Sequence, residues 1–156
     1  MEKHLYFLRH ATAEVVRPGQ LDIDRCLIEK GRLQARRVAD FIGRHAIHPQ
    51  QVLSSPYPRA VQTAAIVCKD AALPRAEEVS WLALGTDTET IITGLQALPG
   101  HTLLVGHEPD FSLLISRLLG KEHAVLNIRK ASLTCLAWQP DDGGYQLQWL
   151  VPCKFM

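Results

Sequence analysis

Two short apolar runs, Leu5-Tyr6-Phe7-Leu8 and the stretch from His101 to Gly106, restrict this chain more than any other feature. Both are too short for a buried helix, and neither alternates polar with apolar as a half-solvated strand does. Unbroken runs of this length belong to strands covered on both faces, the arrangement of a parallel sheet between two helical layers. The sequence between and after them supplies the layers. From Glu29 to His45, Leu33, Val38, Phe41 and Ile42 recur at helical spacing, and further helices are predicted over 59–72, 88–98 and 111–119. Pro74, Pro99-Gly100 and Gly120 serve as their stops. Gln51–Ser54 and Glu77–Leu82 read as additional strands. Ala131–Trp138 and Tyr145–Val151 flank Asp141-Asp142-Gly143-Gly144, a strong hairpin signal. The predicted class is α/β: a three-layer α/β/α sandwich with a mostly parallel central sheet and a C-terminal antiparallel hairpin.

A length of 156 residues suits a single domain, 1–156, with a core that needs no staples. The formal net charge of +1 argues against a dedicated nucleic-acid surface or a polybasic membrane patch. Cys26, Cys68, Cys135 and Cys153 are scattered, with no Cys-x-x-Cys pair, and read as buried free thiols. No apolar stretch resembles a signal peptide or membrane span, so a cytoplasmic location is expected.

The chemistry-bearing residues stand at strand exits. Arg9-His10 closes the first apolar run, Ser54-Ser55-Pro56 leads from the second strand to Arg59, and Gly106-His107 closes the run at Leu103-Leu104-Val105. In a parallel sheet these exits share one edge, the place where open α/β sheets bind ligands. Two arginines and two histidines could therefore converge on one anion. Arg9 and Arg59 can clamp phosphoryl oxygens, a protonated His107 can donate to one, and a neutral His10 can attack phosphorus in line. Crowded positive charge favours the neutral form of His10. His10 and His107 have no carboxylate or cysteine at ligand spacing, so no metal is expected, and no cofactor. His4, His45, His48, His101 and His123 show no pairing pattern and read as surface residues, and Arg36-Arg37 reads as a solvated helix face.

Leu8-Arg9-His10, the stretch Ser54-Ser55-Pro56 followed by Arg59-Ala60-Val61-Gln62-Thr63, and Val105-Gly106-His107 resemble the three signatures of the histidine phosphatase superfamily. The short length, the Gln-Thr segment and the closing Pro152-Cys153 are most similar to its SixA-type phosphohistidine phosphatases. The resemblance implies that His10 is the phosphorylated nucleophile and that Arg9, Arg59 and His107 form the phosphate pocket. Arg25, in Asp22-Ile23-Asp24-Arg25-Cys26-Leu27, matches a pocket-lining arginine of that group. Ser55, Thr12 and Glu108 are further candidates for the substrate site, although a carboxylate at Glu108 would repel phosphate.

Two departures stand out. Ala11 replaces the glycine that usually follows the Arg-His pair, which would cost around 1 kcal/mol if the backbone needed a positive φ. The stretch Trp81-Leu82-Ala83-Leu84-Gly85 has no carboxylate where many members carry a general acid, and Glu77, Glu78 and Asp87 read as solvated. An alkoxide leaving group needs that proton, with a benefit of ~10²–10⁴-fold. The imidazole of phosphohistidine leaves with little help. The expectation is a metal-independent phosphatase acting on a phosphorylated protein, with no nucleic-acid or membrane partner. A phosphatase of small phosphoesters and a non-catalytic phosphate-binding module are the alternatives.

Overall fold

The computed structural model describes residues 2–156. Six strands form one sheet: β1 (Lys3–Arg9), β2 (Gln51–Ser54), β3 (Glu77–Glu78), β4 (Thr102–Gly106), β5 (Leu133–Gln139) and β6 (Gly144–Val151), in the order β3-β2-β4-β1-β5-β6. β1, β2, β3 and β4 run parallel, whereas β5 pairs antiparallel with β1 and β6 antiparallel with β5. The helices are α1 (Glu29–Arg44), α2 (Pro58–Asp70), α3 (Thr88–Gln96) and α4 (Asp110–Leu118).

The two faces of the sheet carry separate cores. Side chains alternate across a strand, so Tyr6 and Leu8 of β1 join Leu103 and Val105 of β4 under α1 and α2. Leu5 and Phe7 join Leu104 on the other face, with Phe111, Leu114 and Ile115 of α4 and Ile91 and Leu95 of α3. The three-layer sandwich is as the apolar runs predict.

Local signals fix the helix starts. Pro58 occupies the first turn of α2, where its missing N–H costs nothing. Asp87 caps α3 by accepting from the Thr90 backbone N–H at 2.9 Å and from the Thr90 hydroxyl at 2.7 Å. Gly31 lets α1 lie against the loop after β1, since a Cβ there would stand 2.0 Å from the Thr12 carbonyl oxygen.

Several expectations need correction. The strand predicted over 77–82 is only Glu77–Glu78, an exposed pair at the sheet edge; Ser80–Leu82 turns into a 3₁₀ segment that buries Leu82. Leu33 is 55% exposed and belongs to no core, because the buried stripe of α1 runs through Gly31, Ala35, Val38, Ala39, Phe41 and Ile42. Cys26 is half-buried, while the other three thiols are buried. His4 and His101 are partnered rather than isolated: their rings stack at 5.1 Å, and the His4 backbone N–H donates to His101 Nδ1 at 3.0 Å.

Candidate functional site

The convergence of the strand exits is a matter of register. Arg9 pairs with Gly106 and Ser54 with Val105, so β1, β4 and β2 end side by side. Backbone bonds carry this past the strands: the His10 N–H donates to the Gly106 carbonyl and the Ser55 N–H to the Val105 carbonyl, both at 2.9 Å. His10, Ser55, Arg59 and His107 are consequently buried on one edge of the sheet.

His10 is held in one orientation. Its Nδ1 lies 2.8 Å from the Ala11 carbonyl oxygen. A carbonyl can only accept, so Nδ1 carries the proton and Nε2 keeps its lone pair. Nε2 faces the Arg59 guanidinium, with Arg59 Nε 3.4 Å away. Burial first, then the Arg59, Arg9 and Arg25 charges, push the His10 imidazole down to about 4, against the opposing effect of the Ala11 bond. A neutral form at neutral pH is as expected, but burial rather than crowded positive charge is its larger cause.

His107 stands against His10 and Ser55. Its ring centroid is 5.3 Å from that of His10, and Nε2 lies 2.7 Å from Ser55 Oγ. Burial, His10 and Arg59 push it down to about 3, so its imidazole is neutral at neutral pH. The Ser55 hydroxyl also accepts from the Tyr57 backbone N–H at 3.1 Å, and the Tyr57 ring packs edge-on against His107 at 5.0 Å. Among the described residues, His107 Nδ1 and Arg9 Nε are buried without a hydrogen-bond partner. Unpartnered buried polar atoms are costly and call for a ligand or water.

The arginines are anchored from different sides. Arg9 donates to the Ile128 carbonyl at 2.9 Å. Burial lowers its guanidinium below the ordinary value, as does Arg59, while Glu108 opposes this. Arg59 reaches the loop before α1, donating to the Asp22 carbonyl at 2.9 Å and to Asp22 Oδ2 at 3.1 Å. Arg25 donates to Asp22 Oδ1 at 2.9 Å and, through Nε, to the Glu14 carbonyl. Asp22 thus bridges Arg25 and Arg59, and the bonds from both hold its carboxyl below the usual range. The sequence motif around Arg25 includes Asp22 but assigns it no role of its own. A carboxylate ahead of a pocket arginine is its only signal, and that pattern has no fixed meaning without the fold.

The remaining candidates separate. Thr12 lies beside the pocket, its N–H donating to Gln34 Oε1 at 2.9 Å. Glu108 uses Oε1 to accept from the Ser112 N–H at 2.7 Å in the first turn of α4, and its charge acts on Arg9. Glu77, Glu78 and Asp87 are exposed. Near the loop lacking a carboxylate, Asp110 Oδ2 accepts from the Gly85 N–H at 2.9 Å, and burial pushes its carboxyl up. Ala11 is buried and has no positive φ, so the missing glycine brings no backbone strain.

The motif after Arg59 has a mechanical explanation. Gln62 Oε1 accepts from the Leu27 N–H at 2.7 Å. Thr63 Oγ1 accepts from the Ala11 N–H at 3.1 Å and donates to the Arg59 carbonyl at 2.7 Å. Two consecutive side chains of α2 therefore pin the His10 loop and the backbone at Leu27, two residues past Arg25, to the helix that presents Arg59. Among the described residues, no three His, Cys, Asp or Glu side chains cluster as metal ligands, and no helix is long and apolar enough to cross a membrane.

Residues 5–83 match the model of the histidine phosphatase superfamily, branch 1. The chain belongs to the histidine phosphatase superfamily. A Picosynechococcus protein of uncharacterised function is 31% identical over 134 residues, 83% of this chain and 81% of its own. Among solved structures, this histidine phosphatase is similar to a chain assigned as phosphohistidine phosphatase SixA from Agrobacterium tumefaciens (25% identity, 96% and 97% of the two chains, TM-score 0.83). It shares its fold with the protein histidine phosphatase SixA complexed with tungstate (23% identity, 97% of each chain, TM-score 0.87). The same holds for an Escherichia coli chain assigned as an alpha-ribazole-5'-P phosphatase (18% identity, 99% of each chain, TM-score 0.79). Family membership supports phosphatase activity for this chain.

Proposed function

We propose that residues 1–156 act as a single, metal-independent phosphohistidine phosphatase domain with His10 as its nucleophile. The observation that carries this is the buried, neutral His10, whose Nδ1–H is tied to Ala11 and whose Nε2 lone pair faces Arg59. Arg9, Arg59 and His107 bind the phosphoryl oxygens. Phosphate arrival adds negative charge and draws His107 toward its protonated, donating form.

In the first step Nε2 of His10 forms a bond to phosphorus as the P–N bond of the substrate breaks. The departing imidazole keeps the bonding pair and leaves neutral, its other nitrogen carrying a proton. In the second step water attacks the phosphorus on His10, the new P–N bond breaks, and inorganic phosphate leaves. Glu77, Glu78 and Asp87 are exposed, which favours a leaving group that needs no general acid over an alkoxide. The SixA neighbours point the same way, and the four free cysteines suit a reducing cytoplasm.

The test is rapid mixing with a phosphohistidine protein, followed by ³¹P NMR and acid or base quench. Wild type accumulates an acid-labile, base-stable phosphate on His10, and His10→Ala loses turnover by at least ~10³-fold while keeping its fold. Turnover by purified His10→Ala would overturn the assignment. Faster hydrolysis of sugar or nucleotide phosphates than of phosphohistidine would reassign the substrate.

A further inference from the structure

Beside the phosphate pocket runs an open cleft of about 1170 Å³ whose lining includes Arg9, Lys30, Arg37, Arg129, Lys130 and Lys154. No Asp or Glu lines it among the described residues. The asymmetry is local, because the chain as a whole holds 17 Lys and Arg against 16 Asp and Glu. Lys30, Arg37, Arg129, Lys130 and Lys154 make no salt bridge among the described residues, whereas the acids of α1, Glu29 and Asp40, pair with Arg32 and Arg44. The cations face one another: Lys130 is held below the usual lysine value by burial and then by Arg9, Arg25 and Lys30. Uncompensated like charge of this kind lowers stability and is kept where an anion arrives.

The cleft's shape selects among anions. Its volume exceeds the usual range for small-ligand sites, roughly 300–1,000 Å³. Lys30, Leu33, Gln34 and Arg37 line it from one stripe of α1 at i, i+3, i+4 and i+7 spacing, which places the exposed Leu33 between two cations. An apolar contact ringed by charge is the composition of a protein docking surface. Arg9, the residue before His10, lines the cleft, as does Thr12, two residues after it.

We infer that this cleft docks the acidic flank of the phosphoprotein whose phosphohistidine enters the pocket. The inference rests on the phosphohistidine reading above and adds to it what surrounds the phosphorylated residue: Asp and Glu side chains, with an apolar residue to meet Leu33. Docking of this kind raises the encounter rate and weakens as salt screens the cations.

Three probes test it: a phosphohistidine peptide flanked by Asp and Glu, its twin with Asn and Gln in their place, and free phosphohistidine. At low salt, wild type is expected to favour the acidic peptide over its twin in kcat/KM by about tenfold. The triple variant Lys30→Glu, Arg37→Glu, Lys154→Glu abolishes that preference and leaves free phosphohistidine turnover unchanged. The neutral triple variant with Gln at the same positions gives an intermediate loss and keeps the result readable if reversal disturbs α1. Equal kcat/KM for the two peptides, or the same loss on free phosphohistidine, overturns the docking surface. If no phosphohistidine probe is turned over, the catalytic reading alone fails. The cleft is then judged by fluorescence anisotropy with the unphosphorylated acidic peptide: weaker binding to the triple variant upholds it, unchanged binding overturns it. Tighter binding of an oligonucleotide of equal charge would also overturn it, assigning the cleft to nucleic acid.

Discussion

A free imidazole protonates near 6.5, whereas burial and three guanidinium groups bring His10 down to about 4 and similar surroundings bring His107 to about 3. In an NMR titration of the ring nitrogens both should therefore remain neutral at pH 5.5, and saturating inorganic phosphate should move His107 upward. Titration of either ring near 6.5 in the anion-free protein would contradict the charge balance drawn here. Asp22 offers a second handle. Its half-exposed carboxylate holds Arg25 and Arg59 where a phosphoryl group would compete for the same donors. Asp22→Asn should tighten inhibition by inorganic phosphate several-fold; weaker inhibition would mean that the carboxylate aims Arg59 rather than competing for it.

At the scale of elements, α2 controls the geometry of the nucleophile loop through one hydroxyl. Thr63→Val leaves the buried Ala11 N–H without its partner and removes the hydroxyl's bond to the Arg59 carbonyl, which keeps its bond within the helix backbone. An unsatisfied buried group costs about 1–3 kcal/mol, to be read from chemical denaturation. Thr63→Ser should restore most of it, and kcat should fall with the Val variant. Gly31 poses a contest between propensity and space. Alanine favours a helix over glycine by about 1 kcal/mol, but its Cβ would stand 2.0 Å from the Thr12 backbone oxygen. Backbone cannot step aside cheaply, so Gly31→Ala should lower both Tm and turnover despite the better helix former.

For the whole molecule, the two buried histidines link stability to pH. Their folded values lie below 6.5, so between about pH 6.5 and pH 3 the unfolded chain binds more protons than the folded one. Stability then rises with pH across that window and is lost as pH falls through it. Thermal melts of wild type should show this fall, and His10→Ala should show a shallower one. A pH-independent Tm between 6.5 and 4 would sink the claim.

The sequence by itself determined the layers and the edge where the chemistry gathers. Apolar runs such as Leu5–Leu8 specify strands covered on both faces, and a residue placed just past a parallel strand must emerge at the same edge as its neighbours. Arg9-His10, Ser55 and Gly106-His107 were legible for that reason. Local pattern could not supply what depends on distant backbone. Leu33 fits helical spacing yet faces solvent, because the sheet lies under the stripe through Gly31, Ala35 and Val38. Arg37 reads as a solvated charge until β5's approach and the C-terminal turn bring Arg129, Lys130 and Lys154 opposite it. The neutral state of His107 and the Asp22 bridge between two arginines likewise arose only from burial and distance. Hydrophobic periodicity is a property of neighbours in sequence, whereas electrostatics is a property of neighbours in space, and only the tertiary structure decided those.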